Sequence, residues 1–374
     1  MRVGRLIVGG RLDRYVGSLF VSSYITALLV IVGLFFILDM AGNLDDFLEP
    51  WPDGSSVSGV LLARYYLLNV PFLYLQAAPF VTLTAGLFTV SRLLKHNEIS
   101  AALTSGVSSH RVLMPVFMGS VVIALGMFGL REWAATGISN QRAYLLHVLK
   151  KQTAEPSYED LWLRLPSGAR ARLDRFWPST GEPPRAEFRG LDVTWPRDED
   201  VVTSIKAEKG TWARDEAGDE FWLLDNAVRF DVGEEEARRQ PERLTEVEFT
   251  PESALTFRRA SESPLDLSFR ETRMLASCDP DNVLYQTLLQ YHLTFPLANI
   301  VLLLVGLPLM LRQERGRAVE RLGEGLILCI FFFSTDFVFR NLGMQGAVHP
   351  LMASWVPILL FGSLGIVLLE SMRT

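Results

Sequence analysis

The chain has 374 residues, 49% of them hydrophobic and 21% charged, with a mean hydropathy of +0.21 and a net charge of -6. That charge arises in one place: residues 151–280 hold 47 of the 78 Asp, Glu, Lys and Arg residues, 28 acidic against 19 basic, so it is no footprint of nucleic acid, and no such partner is expected. Two cysteines, Cys278 and Cys329, leave no room for a disulfide scaffold.

In chain order, Arg2, Arg5, Arg11 and Arg14 precede an uncharged run, Tyr15 to Leu38, long enough to cross a hydrocarbon core, which takes about 20 apolar residues. A cleaved signal peptide would have an apolar region of about 7 to 15 residues and a small-residue cleavage site. This run is longer, and Leu38-Asp39-Met40 is a poor site. Asp39, Asp45, Asp46, Glu49 and Asp53 follow it. Second and third runs, Tyr65 to Ser91 and Val112 to Leu130, flank the charged segment Ser91 to Arg111. Beyond the polar middle segment come Asn282 to Leu311, broken only by His292, then Leu322 to Phe339 with Glu324 and Asp336, then Leu351 to Leu369. Six spans are expected, three on each side of the middle segment. Basic residues near span ends stay cytoplasmic. The N-terminal arginines, the loop with Arg92, Lys95 and Arg111, and the loop with Arg312, Arg315, Arg317 and Arg321 all fall on one side, and the acidic loop falls on the other. Both termini and the Ser91 to Arg111 segment are therefore expected in the cytoplasm and the middle segment outside. Cys278, at the outer mouth of the fourth span, and Cys329, within the fifth, cannot meet in disulfide geometry.

The middle segment has period two. Leu161 to Leu165 alternates, Pro166-Ser167-Gly168 is a turn, and Ala169 to Trp177 alternates again, which is the signature of a hairpin. Similar runs at Phe188 to Trp195, Ser204 to Ala213, Glu220 to Val232, Leu244 to Thr250 and Leu265 to Phe269, with a turn at Asp215 to Asp219, predict an all-β sandwich or jellyroll. Trp162, Trp177, Trp195, Trp212 and Trp222 are expected to fill its core, or, on a sharper reading, to line an apolar channel wide enough for acyl chains.

No catalytic constellation is evident. No lysine follows a glycine, so a Walker A loop is absent, as are HExxH and CxxC. His96, His110, His147, His292 and His349 are scattered over different loops and spans, unlike a metal site. No metal and no cofactor is expected in this chain. Charges inside spans are costly, about 2.5 to 3.5 kcal/mol each. Asp336 and Arg340, spaced i to i+4, are expected to neutralise each other as an ion pair, the alternative being a polar substrate path. Between spans two and three, Ile99, Ala102, Leu103 and Gly106 follow the i, i+3, i+4, i+7 pattern while Lys95, Glu98 and Ser105 point elsewhere. This predicts a short amphipathic helix, about 95–107, ended at Gly106. Its stripe is narrow and lacks aromatics, so it suits a groove on a cytoplasmic protein better than lipid headgroups.

Several stretches together resemble the LptF/LptG (YjgP/YjgQ) family of lipopolysaccharide export permeases: KHNEISAALTSGVSSHRVLMP from Lys95 to Pro115, GLPLMLRQERGR from Gly306 to Arg317 and GMQGAVHPLMASWVP from Gly343 to Pro357. The order of three spans, β domain and three spans is the same. Leu12-Asp13-Arg14-Tyr15 and Glu132-Trp133 look more like the LptG member.

The resemblance implies a six-helix membrane protein with transmembrane parts at 1–135 and 281–374 and a periplasmic β-jellyroll at 136–280. It implies a non-catalytic permease in the bacterial inner membrane, paired with a paralogous LptF-like permease and a dimer of LptB-like ABC ATPases that use Mg-ATP. Lipopolysaccharide would be drawn from the membrane between spans one and five and passed to LptC/LptA-like bridge proteins. The 95–107 helix would be the coupling helix, with Glu98 in the position of the family's acidic contact to the ATPase. In some LptG members lysines outside the first span attract lipid phosphates, whereas this chain has Asp39, Asp45 and Asp46 there. Two other classes stand as alternatives: an envelope sensor or scaffold with a ligand-binding β domain, which would need a cytoplasmic output module, and a secondary transporter, which would show broken helices or inverted repeats.

Overall fold

In a computed structural model, residues 10–48, 58–151, 157–178, 186–197, 200–214, 220–231, 238–239, 243–244, 249–312 and 318–371 are described. The helices are α1 (Arg11–Leu48), α2 (Gly59–Lys95), α3 (Glu98–Thr104), α4 (Ser109–Gly137), α5 (Ser139–Lys151), α6 (Pro251–Glu262), α7 (Phe269–Cys278), α8 (Val283–Thr294), α9 (Ala298–Arg312), α10 (Ala318–Met344) and α11 (Pro350–Glu370). Strands β1 (Tyr158–Arg164), β2 (Arg170–Trp177), β3 (Glu187–Arg197), β4 (Asp200–Arg214), β5 (Glu220–Asp225), β6 (Val228–Asp231), β7 (Arg238–Arg239) and β8 (Arg243–Leu244) lie between α5 and α6. Among the described residues, six helical segments are long and apolar enough to cross a membrane, as expected: α1, α2, α4, α8 with α9, α10 and α11.

Two compact units form. One comprises 1–43, 69–134 and 286–374; the other comprises 44–68 and 135–285. The second therefore takes in the end of α1 and the start of α2 as well as the polar middle segment. Phe47 accounts for this locally, being fully buried with its ring 5.6 Å from Tyr65 and 6.4 Å from Tyr66.

In the first unit α2 and α9 are the central helices. Leu303 of α9 lies on Gly86 of α2, and Leu83 of α2 lies on Gly306 of α9, so each leucine occupies the space a Cβ would need. Lipid tails are as apolar as leucine, so helices here associate through such close packing rather than by escaping water. Val16, Phe20 and Ile31 of α1, Leu113 and Val116 of α4, Phe332 of α10 and Phe361 of α11 complete the core. The outer faces of α1 and α10 stay apolar and exposed, for example Leu29, Val30 and Ile37 on one and Ile330, Phe331 and Phe337 on the other. The fourth span is not continuous: a 3₁₀ turn at Phe295–Leu297 separates α8 from α9, because Pro296 lacks an amide hydrogen. Beside the break, Asn299 Nδ2 donates to the Pro296 carbonyl at 2.8 Å, and Thr82 Oγ1 donates to Asn299 Oδ1 at 2.7 Å.

The second unit contains one antiparallel sheet in the order β1-β2-β3-β4-β5-β8, with β6 also paired to β4 and β7 to β6. The hairpin expected at Leu161 to Trp177 is present in that register, Leu161 opposite Leu173 and Leu163 opposite Ala171. The run from Glu220 to Val232 is two strands, broken at Asn226, whose φ is 53°. That break belongs to a seam. No pairing joins Asp160 to Asp174, Asp174 to Gly190 or Gly190 to Glu208, although the register continues on both sides of each. On alternate strands the seam residue has positive φ: Asp160 at 52°, Gly190 at 64° and Asn226 at 53°. Asp, Gly and Asn are the residue types that tolerate this region.

The seam advances the burial pattern by one residue in every strand it crosses, so Tyr158 and Leu161, Leu173 and Phe176, and Phe188 and Leu191 are all buried at a spacing of three. One side of it has an aromatic core of Phe176, Phe188, Trp222 and Phe249, with Phe188 and Trp222 centroids 4.8 Å apart and Trp222 Nε1 donating to the Phe249 carbonyl at 2.9 Å. The other side is aliphatic, built on Leu161, Leu173, Leu191, Val193 and Ile205. Of the five tryptophans only Trp222 fills the core. Trp162 is 58% exposed under the Arg172 guanidinium, and Trp177 is half-buried between Arg175 and Arg189. A hydrogen bond from Arg172 holds the Asp160 carboxyl below the usual carboxylate range, and burial pushes the Tyr158 hydroxyl up to about 12.

Leu265 to Phe269 is not a strand. Pro264–Asp266 is a 3₁₀ turn and α7 starts at Phe269, because Ser268 and Glu271 form a reciprocal capping box in which Ser268 Oγ accepts from the Glu271 amide at 3.0 Å and Glu271 Oε2 from the Ser268 amide at 2.9 Å. Thr250 and Ser253 cap α6 in the same way. Of the Leu244 to Thr250 run, Leu244 belongs to β8; residues 245–248, the turn at 215–219 and the loop arginines Arg315 and Arg317 lie outside the described residues. Helices α5, α6 and α7 are joined by a buried Arg259, which pairs with Glu271 and donates to Ser139 Oγ at 2.5 Å. The expected β insertion is thus present as an antiparallel sheet between α5 and α6, and α5, α6 and α7 belong to the same unit.

Phe188→Ala removes the centre of the aromatic half and is expected to cost about 3 to 5 kcal/mol. Thermal unfolding of the full chain, followed by tryptophan fluorescence, should show a large fall in midpoint; an unchanged midpoint would remove Phe188 from the core.

Candidate functional site

The first unit contains two groups of polar residues, one at each end of α4. The first surrounds α3. Glu98 opens this seven-residue helix, Asn97 before it has φ 56°, and the helix closes on Gly106 at φ 83°. The Val107 amide donates to the Ala102 carbonyl at 2.9 Å and the Gly106 amide to that of Leu103 at 3.0 Å, the paired bonds of a Schellman end. A side chain at φ 83° is strained, so Gly106 is where the sequence allows the helix to stop.

The apolar stripe does not lie on one free face. Ile99 is 4% exposed in the core of its own unit, and Ala102 and Val107 pack against that core. Leu103 is exposed, with Ser100, Ala101, Thr104 and Ser105 around it. Ile99 and Ala102 therefore seat the helix, and its outward face is made of small residues and Leu103. Periodicity shows which residues share a face but not which side that face meets.

Glu98 is held from a distance in sequence. Tyr15 Oη, in the second turn of α1, donates to Glu98 Oε1 at 2.8 Å. Beside it, Arg111 Nη2 in the first turn of α4 pairs with Asp13 Oδ2 at 2.8 Å, and the same carboxylate oxygen accepts the Gly10 amide at 3.0 Å. The starts of α1, α3 and α4 are thus joined by two side-chain bonds.

The second group lies near the other end of α4. Asp336 and Arg340 pair as expected, at 3.4 Å, and Asp336 is 7% exposed. The structure adds three residues. Arg340 Nη1 donates to Tyr291 Oη at 2.5 Å and lies 4.7 Å from its ring centre; Arg131 lies 5.9 Å from the same centre and 2.8 Å from His292 Nδ1. Both guanidinium groups are within cation–π range of the Tyr291 ring. Arg131, the first charge after the third span, and His292, which alone breaks the otherwise uncharged fourth run Asn282 to Leu311, were the signals available for this group. Arg111 and Arg131 are twenty residues apart on α4, about 30 Å by helical rise, which is the thickness of a hydrocarbon core. The two groups are therefore spaced by about one hydrocarbon thickness along α4.

Arg340→Met leaves Asp336 as a buried charge without its ion-pair partner and is expected to destabilise the chain by about 3 to 5 kcal/mol, whereas Asp336→Leu with Arg340→Met is expected to cost less. Unfolding midpoints of the two variants, measured in the same detergent, decide it: a double variant worse than the single one contradicts the ion-pair role.

No curated protein matches the chain. Residues 14–371, nearly its whole length, match a family that comprises both permease types, and the chain accordingly belongs to the lipopolysaccharide export system permease LptF/LptG family.

Proposed function

We propose that the chain is the transmembrane, non-hydrolysing subunit of an ATP-driven lipopolysaccharide exporter in the bacterial inner membrane, with both termini and α3 in the cytoplasm and the β unit in the periplasm. The family match over residues 14–371 carries this reading. In the reading, an LptB-like ATPase dimer docks on α3, a paralogous permease completes the transmembrane part, and LptC/LptA-like proteins receive the lipid from the β unit. The Leu12 to Tyr15 and Glu132-Trp133 stretches favour the LptG role. The exposed apolar faces of α1 and α10 suit a lateral gate open to acyl chains. On α3, Leu103 and its small neighbours form the docking face, and Glu98 offers Oε2 to a basic group of the ATPase while Oε1 receives Tyr15. In a partly dehydrated groove such a charge-assisted bond contributes about 1.5 to 3 kcal/mol.

Gentle detergent purification is expected to bring an ATPase subunit and a second six-span permease with the chain. Purification of a stable chain with neither overturns the exporter reading. Glu98→Lys is expected to abolish ATPase binding or to separate ATP hydrolysis from lipid export; normal assembly and transport would withdraw Glu98 from the contact.

A further inference from the structure

We infer that Tyr15 and the Asp13–Arg111 pair are positioning residues for the coupling segment: they fasten α3 to the first turns of α1, so that a force received at α3 reaches α1 directly. The inference rests on the reading of α3 as the docking site of the ATPase.

The argument starts from the shortness of α3. A seven-residue helix is too short to be stable on its own and takes its place from what it touches. Its C-terminal end is fixed by the Gly106 turn and its inner face by Ile99 and Ala102. Its N-terminal end begins after a left-handed Asn97 that makes no side-chain cap, and the bond from Tyr15 is what Glu98 receives there. On the other side of the segment, Arg111 anchors the start of α4 to Asp13. Residues 13 and 15 lie within one turn of the same helix and reach both flanks of the segment, 83 positions away in one case and 98 in the other. A load on α3 is therefore shared among α2 and α4, to which the chain joins it on either side, and α1, to which it is tied only by side chains. Since α1 is also the span with the most exposed apolar face, the tie leads to the helix with the fewest contacts to hold it still.

The test uses the assembled complex in proteoliposomes containing lipopolysaccharide, with release of that lipid and hydrolysis of ATP both measured. Tyr15→Phe removes one oxygen from an exposed bond. It is expected to keep the ATPase bound and hydrolysing while lipid released per ATP falls about fivefold or more, the lower end for coupling between sites. Asp13→Arg and Arg111→Asp should each show the same loss, and the combined swap should recover most of it. Wild-type release per ATP in Tyr15→Phe overturns the inference, and so does a swap no better than its single variants. Loss of the ATPase from Tyr15→Phe also overturns it, by placing Tyr15 in the binding face. A further measurement does not depend on the ATPase: in the full chain alone in detergent, hydrogen exchange of the Ala101 to Leu103 amides should quicken in Tyr15→Phe but not in Tyr24→Phe, which removes a hydroxyl from α1 elsewhere. Unchanged exchange refutes the tie even if the wild-type chain binds no ATPase, so failure of the tie and failure of the exporter reading are seen separately.

Discussion

The reciprocal packing of α2 and α9 is the constraint on which the membrane unit depends. In lipid there is no aqueous penalty to drive one apolar helix against another, so association needs backbones that approach closely. Gly86 and Gly306 permit this by admitting Leu303 and Leu83. The remaining spans pack around the pair, and at the break before α9 a hydrogen bond from Thr82 to Asn299, one on each central helix, joins the two, with Asn299 also donating to the Pro296 carbonyl. A rigid centre of this kind lets the outer helices have unequal amounts of protein contact, and α1 has the least.

Two polar groups of this unit are spaced by about one hydrocarbon thickness along α4. One consists of the Tyr15–Glu98 and Asp13–Arg111 bonds, where long side chains join the beginnings of three helices. The other consists of Asp336, Arg340, Tyr291, Arg131 and His292, where charges are offset by pairing and by an aromatic ring. Between them the contacts that matter are apolar or are hydrogen bonds among neutral groups, as the cost of charge in lipid requires.

How much of this was legible in the sequence followed from the range of each interaction. Spans were legible because every residue in a long apolar stretch reports the same environment, and the β1–β2 hairpin because its alternation and its Pro166 to Gly168 turn are local. Helix α7 carried a readable signal that alternation obscured: Ser268 and Glu271 are the two ends of a capping box, three residues apart. Arg259 gave no such sign, since its partners Ser139 and Glu271 come from two other helices. Gly106 was read as the stop of α3 and is one, yet the same stretch suggested Ile99 as part of a docking face, although the residue is buried in its own unit. The Asp336–Arg340 pair was a matter of spacing on one helix, whereas Tyr15 and Glu98 meet only through the fold.

The seam across the sheet bears on how this family member can change. Asp160, Asp174, Gly190, Glu208 and Asn226 are one inserted position repeated in each strand, and the strands stay in register because all of them have it. Losing this residue from a single strand would turn the side chains on one side of the seam to the wrong face and disturb pairing with each strand beside it. The five positions therefore form an inheritance unit: length variation along this row has to be gained or lost in every strand together, while the turns between strands remain free to vary one at a time.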